Sequence, residues 1–166
     1  MQRTIVLCGF MGCGKSTVGR VLARRLGCDF IDMDSYIEAR AGRIIPQIFS
    51  EDGEEGFREL EHRAARELAA KENTVVASGG GALLFARNVQ AFSPCAVVFL
   101  DVPFEVCYRR IRDSSRPLVR QNSREAMLAL YERRRPLYLR AASLRVAGEL
   151  APEAAADAVL SGLGLR

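Results

Sequence analysis

Nine residues near the start of the chain, Gly9-Phe10-Met11-Gly12-Cys13-Gly14-Lys15-Ser16-Thr17, combine bare backbone, a cation and hydroxyls. They fit G-x-x-x-x-G-K-[ST], with Gly9, Gly14, Lys15 and Ser16 in the fixed places. Glycines let a backbone curl so that successive N–H groups point inward at phosphate oxygens, a cradle that side chains would obstruct. A helix starting directly behind such a loop adds unpaired N–H groups and the positive end of its dipole. Lys15 can then reach the β- and γ-phosphates of a nucleotide, and the Ser16 hydroxyl can ligate Mg²⁺. Gly12, Cys13, Gly14 and Thr17 complete the residues expected around the phosphates.

Other charged or bare constellations follow. Asp32-Met33-Asp34 sits where a predicted strand ends, the edge at which open α/β sheets place ligands. Alone, such a pair reads as a helix cap; downstream of a phosphate loop it reads as a catalytic pair. Arg58 and Glu61 are three apart and fall on neighbouring helical turns. Gly79-Gly80-Gly81 holds more glycine than a turn requires. The run Arg133-Arg134-Arg135, taken alone, is a solvated face. His62, the only histidine, lies on a helix flank and is given no catalytic role.

The elements that must position these residues alternate. Thr4–Cys8 is an apolar, β-branched strand, and Val18, Val21, Leu22 and Leu26 recur behind the loop at helical spacing. Gly27 ends that helix, and Cys28–Asp32 is a second strand. A short helix through Tyr36 and Ile37 follows, and Gly53 is expected to open a longer one with Phe57, Leu60, Ala64 and Leu68 as its buried stripe. Thr74–Ser78 is a third strand, Leu83–Phe92 a helix, and Ala96–Leu100 a fully apolar fourth strand. Pro103 starts the next helix, which runs to about Arg112. A polar stretch from Asp113 to Asn122 leads to Ser123, an N-cap, and a helix that Pro136 is expected to bend or interrupt. Ser143–Val146 is a weaker fifth strand, and Pro152–Leu163 a closing helix. The alternation predicts one α/β domain over 1–166: three layers, with a five-stranded parallel sheet between helices.

Bulk properties narrow the function classes. The 166 residues suffice for one full core, and 49% hydrophobic with 27% charged residues is the balance of a globular protein. A net charge of +4 suits anionic small substrates, without a nucleic-acid arm or a polybasic membrane patch. Thr4–Cys8 is too short for a signal-peptide core, and no apolar run is long enough for a membrane helix. Five cysteines, odd in number and never spaced C-x-x-C, predict free thiols in a reducing cytoplasm. Cys13, just before a helix N-terminus, is expected to be the thiol most sensitive to alkylation.

Taken together, the motifs resemble shikimate kinases, within the nucleoside-monophosphate-kinase-like group of P-loop proteins. The resemblance spans about Thr4 to Tyr138. It rests on the Gly9–Thr17 loop, Asp32-x-Asp34, Ile48-Phe49 to Gly53, Phe57-Arg58-x-x-Glu61, Ser78-Gly79-Gly80-Gly81-Ala82, Arg116-Pro117-Leu118 and Arg134-Arg135-Pro136-Leu137-Tyr138. It implies a P-loop fold with a mobile lid at about 112–123 and an acceptor-binding helical segment at about 33–62. It also implies transfer of the γ-phosphoryl of ATP, with Mg²⁺, to the 3-hydroxyl of shikimate, in a cytoplasmic monomer.

By the same resemblance, Arg58 and Arg134 hold the acceptor's carboxylate, with Arg135 as the alternative to Arg134. Asp34 holds the hydroxyls and accepts the attacking proton. Glycines 79–81 approach the acceptor with bare backbone, and Glu61 orients Arg58. Asp32 stands near Mg²⁺ with Ser16. Arg116 comes onto the transferring phosphoryl when the lid closes, and Arg109 packs near adenine, with Arg110 and Arg112 close by. The chain departs from the pattern in reading Arg-Pro-Leu-Val at the lid and in lacking a basic residue from Gly148 to Pro152. Two other readings remain: a different small-molecule kinase such as a gluconate kinase, and an ATP-binding regulatory protein without turnover.

Overall fold

Four residues without a polar side chain among them, Ile5–Cys8, form strand β1, buried throughout. Such a strand can only be the middle of a sheet covered on both faces. In the computed structural model, which describes residues 3–166, β1 is the centre of five parallel strands. The others are β2 (Asp29–Asp32), β3 (Thr74–Ala77), β4 (Ala96–Asp101) and β5 (Leu144–Ala147), in the order β2-β3-β1-β4-β5. Ile5 is paired with Val75 on one side and Ala96 on the other, so β3 and β4 flank β1. The polar content of each strand follows its place: the edge strands β2 and β5 carry the half-exposed residues, while β1 and β3 carry none.

Helices α1 (Lys15–Leu26), α2 (Met33–Ala41), α3 (Ile45–Ala69), α4 (Ala86–Ala91), α5 (Phe104–Ile111), α6 (Pro117–Gln121), α7 (Arg124–Ala141) and α8 (Pro152–Gly162) cover the sheet. This is the expected three-layer α/β arrangement. Helix α1 buries Val18, Val21 and Leu22 and packs on β3 and α8. Among the described residues no helix is long and apolar enough to cross a membrane.

Gly53 opens the longer helical stretch as expected: its φ of 72° and ψ of −178° are non-helical and divide α3 in two, and the part from Ile45 ahead of it is helical as well. Pro46 in the first turn costs nothing, because its missing N–H has no intrahelical partner there. Two expectations need correction. Pro136 does not interrupt α7, which continues from Arg124 to Ala141 and is held at points on both sides of the proline. The segment from Leu83 to Phe92 is divided, a 3₁₀ turn at Ala82–Leu84 preceding the short α4. The polar stretch after α5 also holds a helical turn, α6, whose Val119 is buried.

Candidate active site

The carboxyl ends of β1, β2 and β3 open into a cavity of about 570 Å³. Its walls hold Lys15, Ser16, Asp32, Asp34, Gly79, Gly80 and Arg116, residues brought together from far apart in the sequence. Gly9, Gly12 and Gly14 all take positive φ (145°, 82° and 98°), which lets the loop curl ahead of α1. Lys15 is folded back over that loop, its ammonium donating to the carbonyls of Gly9 at 2.7 Å and Phe10 at 3.3 Å. Thr17 is exposed and also lines the cavity.

Asp32 uses both of its carboxylate oxygens. One carboxylate oxygen caps α2 by accepting the Ser35 N–H at 3.1 Å, and the other accepts the Ser16 hydroxyl at 3.0 Å. A hydroxyl and a carboxylate in contact are hard oxygen donors suited to Mg²⁺, which takes one or two protein ligands besides phosphates and water.

Asp34, in the first turn of α2, is reached by solvent from the cavity. Protein nevertheless crowds its carboxylate: a Cβ on Gly79 would stand 2.9 Å from Oδ1. Burial raises the Asp34 pKa above the ordinary value, the Asp32 charge adds to this, and the opposing pull of Lys15 does not cancel it.

On the other side of the triple glycine, the Arg58 guanidinium lies where a Cβ on Gly81 would sit, 2.9 Å from Nη1. Glu61, 1% exposed, takes Arg58 Nη1 on both oxygens at 2.9 and 3.1 Å. Its pKa is raised because burial outweighs the attraction of Arg58. The guanidinium stands over the rings of Phe57 and Phe85, 5.2 and 4.8 Å from their centroids.

The Arg134 Nη1 lies 3.5 Å from where a Gly80 Cβ would stand, whereas Arg135 is engaged with Asp101. Of the two neighbours, Arg134 is the one that faces the glycines. Among the described residues, the buried side-chain polar atoms with no hydrogen-bond partner are Arg58 Nε, Arg134 Nε and Ser78 Oγ, with Glu54 Oε1 standing 3.6 Å from Arg58 Nε. All three belong to residues that border the triple glycine. Unmet buried donors cost about 1–3 kcal/mol each, a cost that binding of an oxygen-rich anion relieves.

Arg109 pairs with Glu149 at 2.8 Å, beside the Leu150 that lines the cavity. Its neighbour Arg110 lines the cavity and donates to the Gly12 carbonyl at 3.0 Å. The signal for Arg110 was present: Phe104, Cys107 and Ile111 are a buried stripe of α5, and Arg110 lies beside it. One sequence expectation fails here: Cys13 is not the accessible thiol. The curl of the loop tucks it against Gly9, 4% exposed, while Cys28 and Cys95 are the partly exposed cysteines. Burial pushes Cys8 and Cys107 up to about 12, so both are inert. All five thiols are free. Sequence reasoning also passed over Tyr138 as more than a motif letter, although its hydroxyl donates to the Gly80 carbonyl at 2.5 Å. His62 is structural, its Nδ1 donating to Asn88 Oδ1 at 2.9 Å.

Comparison with known proteins agrees with this geometry. The family model described as shikimate kinase matches residues 11–163. A shikimate kinase of Thermobifida fusca is 44% identical over 160 residues, covering 95% of this chain and 93% of that one. One from Aquifex aeolicus is 42% identical over 164 residues, covering 96% and 95%. The structure of a shikimate kinase from Acinetobacter baumannii in complex with shikimate superposes with a TM-score of 0.90 at 37% identity, covering 97% of this chain and 92% of that one. With a phosphate loop and a carboxylate pair meeting in one cavity, an arginine pair set against the triple glycine beside it, and relatives of this identity over nearly its whole length, the chain belongs to the shikimate kinase family.

Proposed function

We propose that this chain transfers the γ-phosphoryl of ATP to the 3-hydroxyl of shikimate, with the two substrates meeting in the cavity between the phosphate loop and the triple glycine. The observation that carries the reading is the polarity of that one space. Lys15, Ser16 and Asp34 line it, Gly79 and Gly80 form its far wall, and Arg58 and Arg134 stand against the glycines outside that lining.

The loop N–H groups and Lys15 hold the phosphates of ATP, with Gly12, Cys13, Gly14 and Thr17 around them. Lys15 first gives up its contacts with Gly9 and Phe10. Ser16 and Asp32 would hold Mg²⁺, which would neutralise charge developing on the phosphates. Arg58 and Arg134 take the acceptor's carboxylate, for which planar guanidinium forks suit two oxygens. Gly79, Gly80 and Gly81 admit the ring edge because no Cβ stands in the way. Asp34 holds the attacking hydroxyl and accepts its proton. Arg116, exposed at the start of α6, closes over the transferring phosphoryl with the lid at about 112–123. Arg109 packs near adenine from its place beside Glu149, and Arg110 joins Leu150 and Pro152 on the nucleotide wall. The protein acts as a cytoplasmic monomer, without nucleic-acid or membrane partners.

ADP release from Mg-ATP, measured with shikimate, with gluconate and with no acceptor, tests the reading. Release that depends on shikimate is the expected result. Release with gluconate alone would support a different acceptor class, and ATP binding without release would support a regulatory protein.

A further inference from the structure

Asp101 ends β4 with its side chain 4% exposed and lies outside the cavity wall. It nevertheless takes three charge-assisted bonds. Arg135 donates from Nε to Oδ1 at 2.9 Å and from Nη2 to Oδ2 at 2.7 Å, and Arg145 donates from Nε to Oδ2 at 2.7 Å. A two-pronged contact of this kind fixes orientation as well as distance. Burial alone would push the Asp101 pKa up, but Arg135 and Arg145 together bring it below the ordinary range.

The position of Arg135 on α7 gives this clamp a consequence. Residues four apart share a face of a helix, and adjacent residues are about 100° apart around it. Tyr131 and Arg135 therefore form one stripe. The Tyr131 hydroxyl donates to the Val102 carbonyl at 2.8 Å while Arg135 holds Asp101, so the stripe is moored to consecutive residues at the end of β4. Arg134 and Tyr138 form the next stripe, and both of them meet Gly80. Pro136 lies between the two anchoring regions and cannot donate to the carbonyl of Glu132, which removes one bond from the helical ladder. External contacts must then hold the rotation of α7 at this point.

We propose that Asp101, acting through Arg135, is a positioning residue for the acceptor's carboxylate: the mooring sets the rotation of α7 and so aims the Arg134 guanidinium across the triple glycine. The inference rests on the reading of Arg134 as a carboxylate ligand.

Steady-state kinetics of the full chain with Arg135→Ala, Arg145→Ala and Arg134→Ala test it, using shikimate and shikimate methyl ester as acceptors. Arg135→Ala leaves Asp101 paired with Arg145, so the buried carboxylate keeps a counter-charge and the fold is retained. Its KM for shikimate should rise about tenfold, the size of one charge-assisted bond lost, with KM for ATP within about twofold of the parent. Against the methyl ester, whose neutral group gives Arg134 no charge to hold, Arg135→Ala and the parent should converge. Arg145→Ala leaves the mooring of α7 in place and should move neither KM. A penalty of equal size on acid and ester, no penalty at all, or the same penalty from Arg145→Ala would overturn the proposal. Should Arg134→Ala itself leave the KM for shikimate unchanged, the carboxylate assignment falls and the mooring proposal with it. An effective Arg134→Ala beside a silent Arg135→Ala overturns the mooring alone.

Discussion

A carboxylate that takes a proton during phosphoryl transfer works best when its pKa is raised toward the operating pH, and burial raises that of Asp34. Asp34→Asn should lower kcat about 10²–10⁴-fold. The parent should show an acid limb in kcat/KM above the ordinary carboxylate range, and the limb should disappear in the variant. The same shift bears on stability. Folded Asp34 binds its proton more tightly than the unfolded chain does, so its full benefit to folding is present only below the unfolded pKa. As pH rises from there through the raised pKa, folding loses that benefit. Asp34→Asn removes the charge, so thermal unfolding at pH 7 should move to higher temperature while activity falls; unfolding at lower temperature would contradict the direction assigned here. Gly79→Ala should weaken acceptor binding, since its Cβ would stand 2.9 Å from Asp34 Oδ1 and displace that carboxylate. Isothermal titration with shikimate measures that directly.

At the scale of elements, α3 and the α5–α6 segment carry the moving parts of the account. The kink at Gly53 combines φ 72° with ψ −178°, a region essentially closed to residues with a Cβ. Nothing lies within 4 Å of a Cβ added there, so a substitution meets only backbone strain. Gly53→Ala should cost about 1–3 kcal/mol in thermal or denaturant unfolding and raise KM for the acceptor, because the kink sets the direction of the part of α3 that carries Arg58. Arg116→Ala should lower kcat about 10³–10⁵-fold with little change in melting temperature, since the side chain is exposed and the role is confined to the transition state. Lys15→Ala should cost at least as much as Asp34→Asn in the same assay. Apolar periodicity made most elements legible, because burial of β1, β3, β4 and the stripe of α1 is written in consecutive or helically spaced apolar residues. The misplaced features are those in which external contacts override local chemistry. Pro136 reads as a break, yet the ties of Tyr131, Arg135 and Tyr138 carry α7 through it. Gly53 reads as a start and is one, and what the sequence hid is the helical stretch from Ile45 ahead of it, whose apolar run carries no cap signal.

For the molecule as a whole, strand order does what no motif states. Placing β1 between β3 and β4 puts the phosphate loop beside the triple glycine, although about 65 residues of chain separate them. The motifs named the phosphate-loop, carboxylate and glycine residues of the cavity, because each needs a residue type that composition makes conspicuous: one lysine in the loop, paired aspartates, bare glycines. They did not name Ile111, Leu150 or Pro152, and they could not choose between Arg134 and Arg135. That choice depends on helix rotation, which gave Arg135 to Asp101 while leaving Arg134 for the glycines. The central claim is that a phosphoryl group passes within this cavity from ATP to one hydroxyl of the acceptor. Phosphorus NMR of the product from Mg-ATP and shikimate tests it most directly. A single new phosphate ester coupled to the ring proton at carbon 3, formed in step with ADP, is the predicted result; inorganic phosphate alone, or an ester on another hydroxyl, would contradict it.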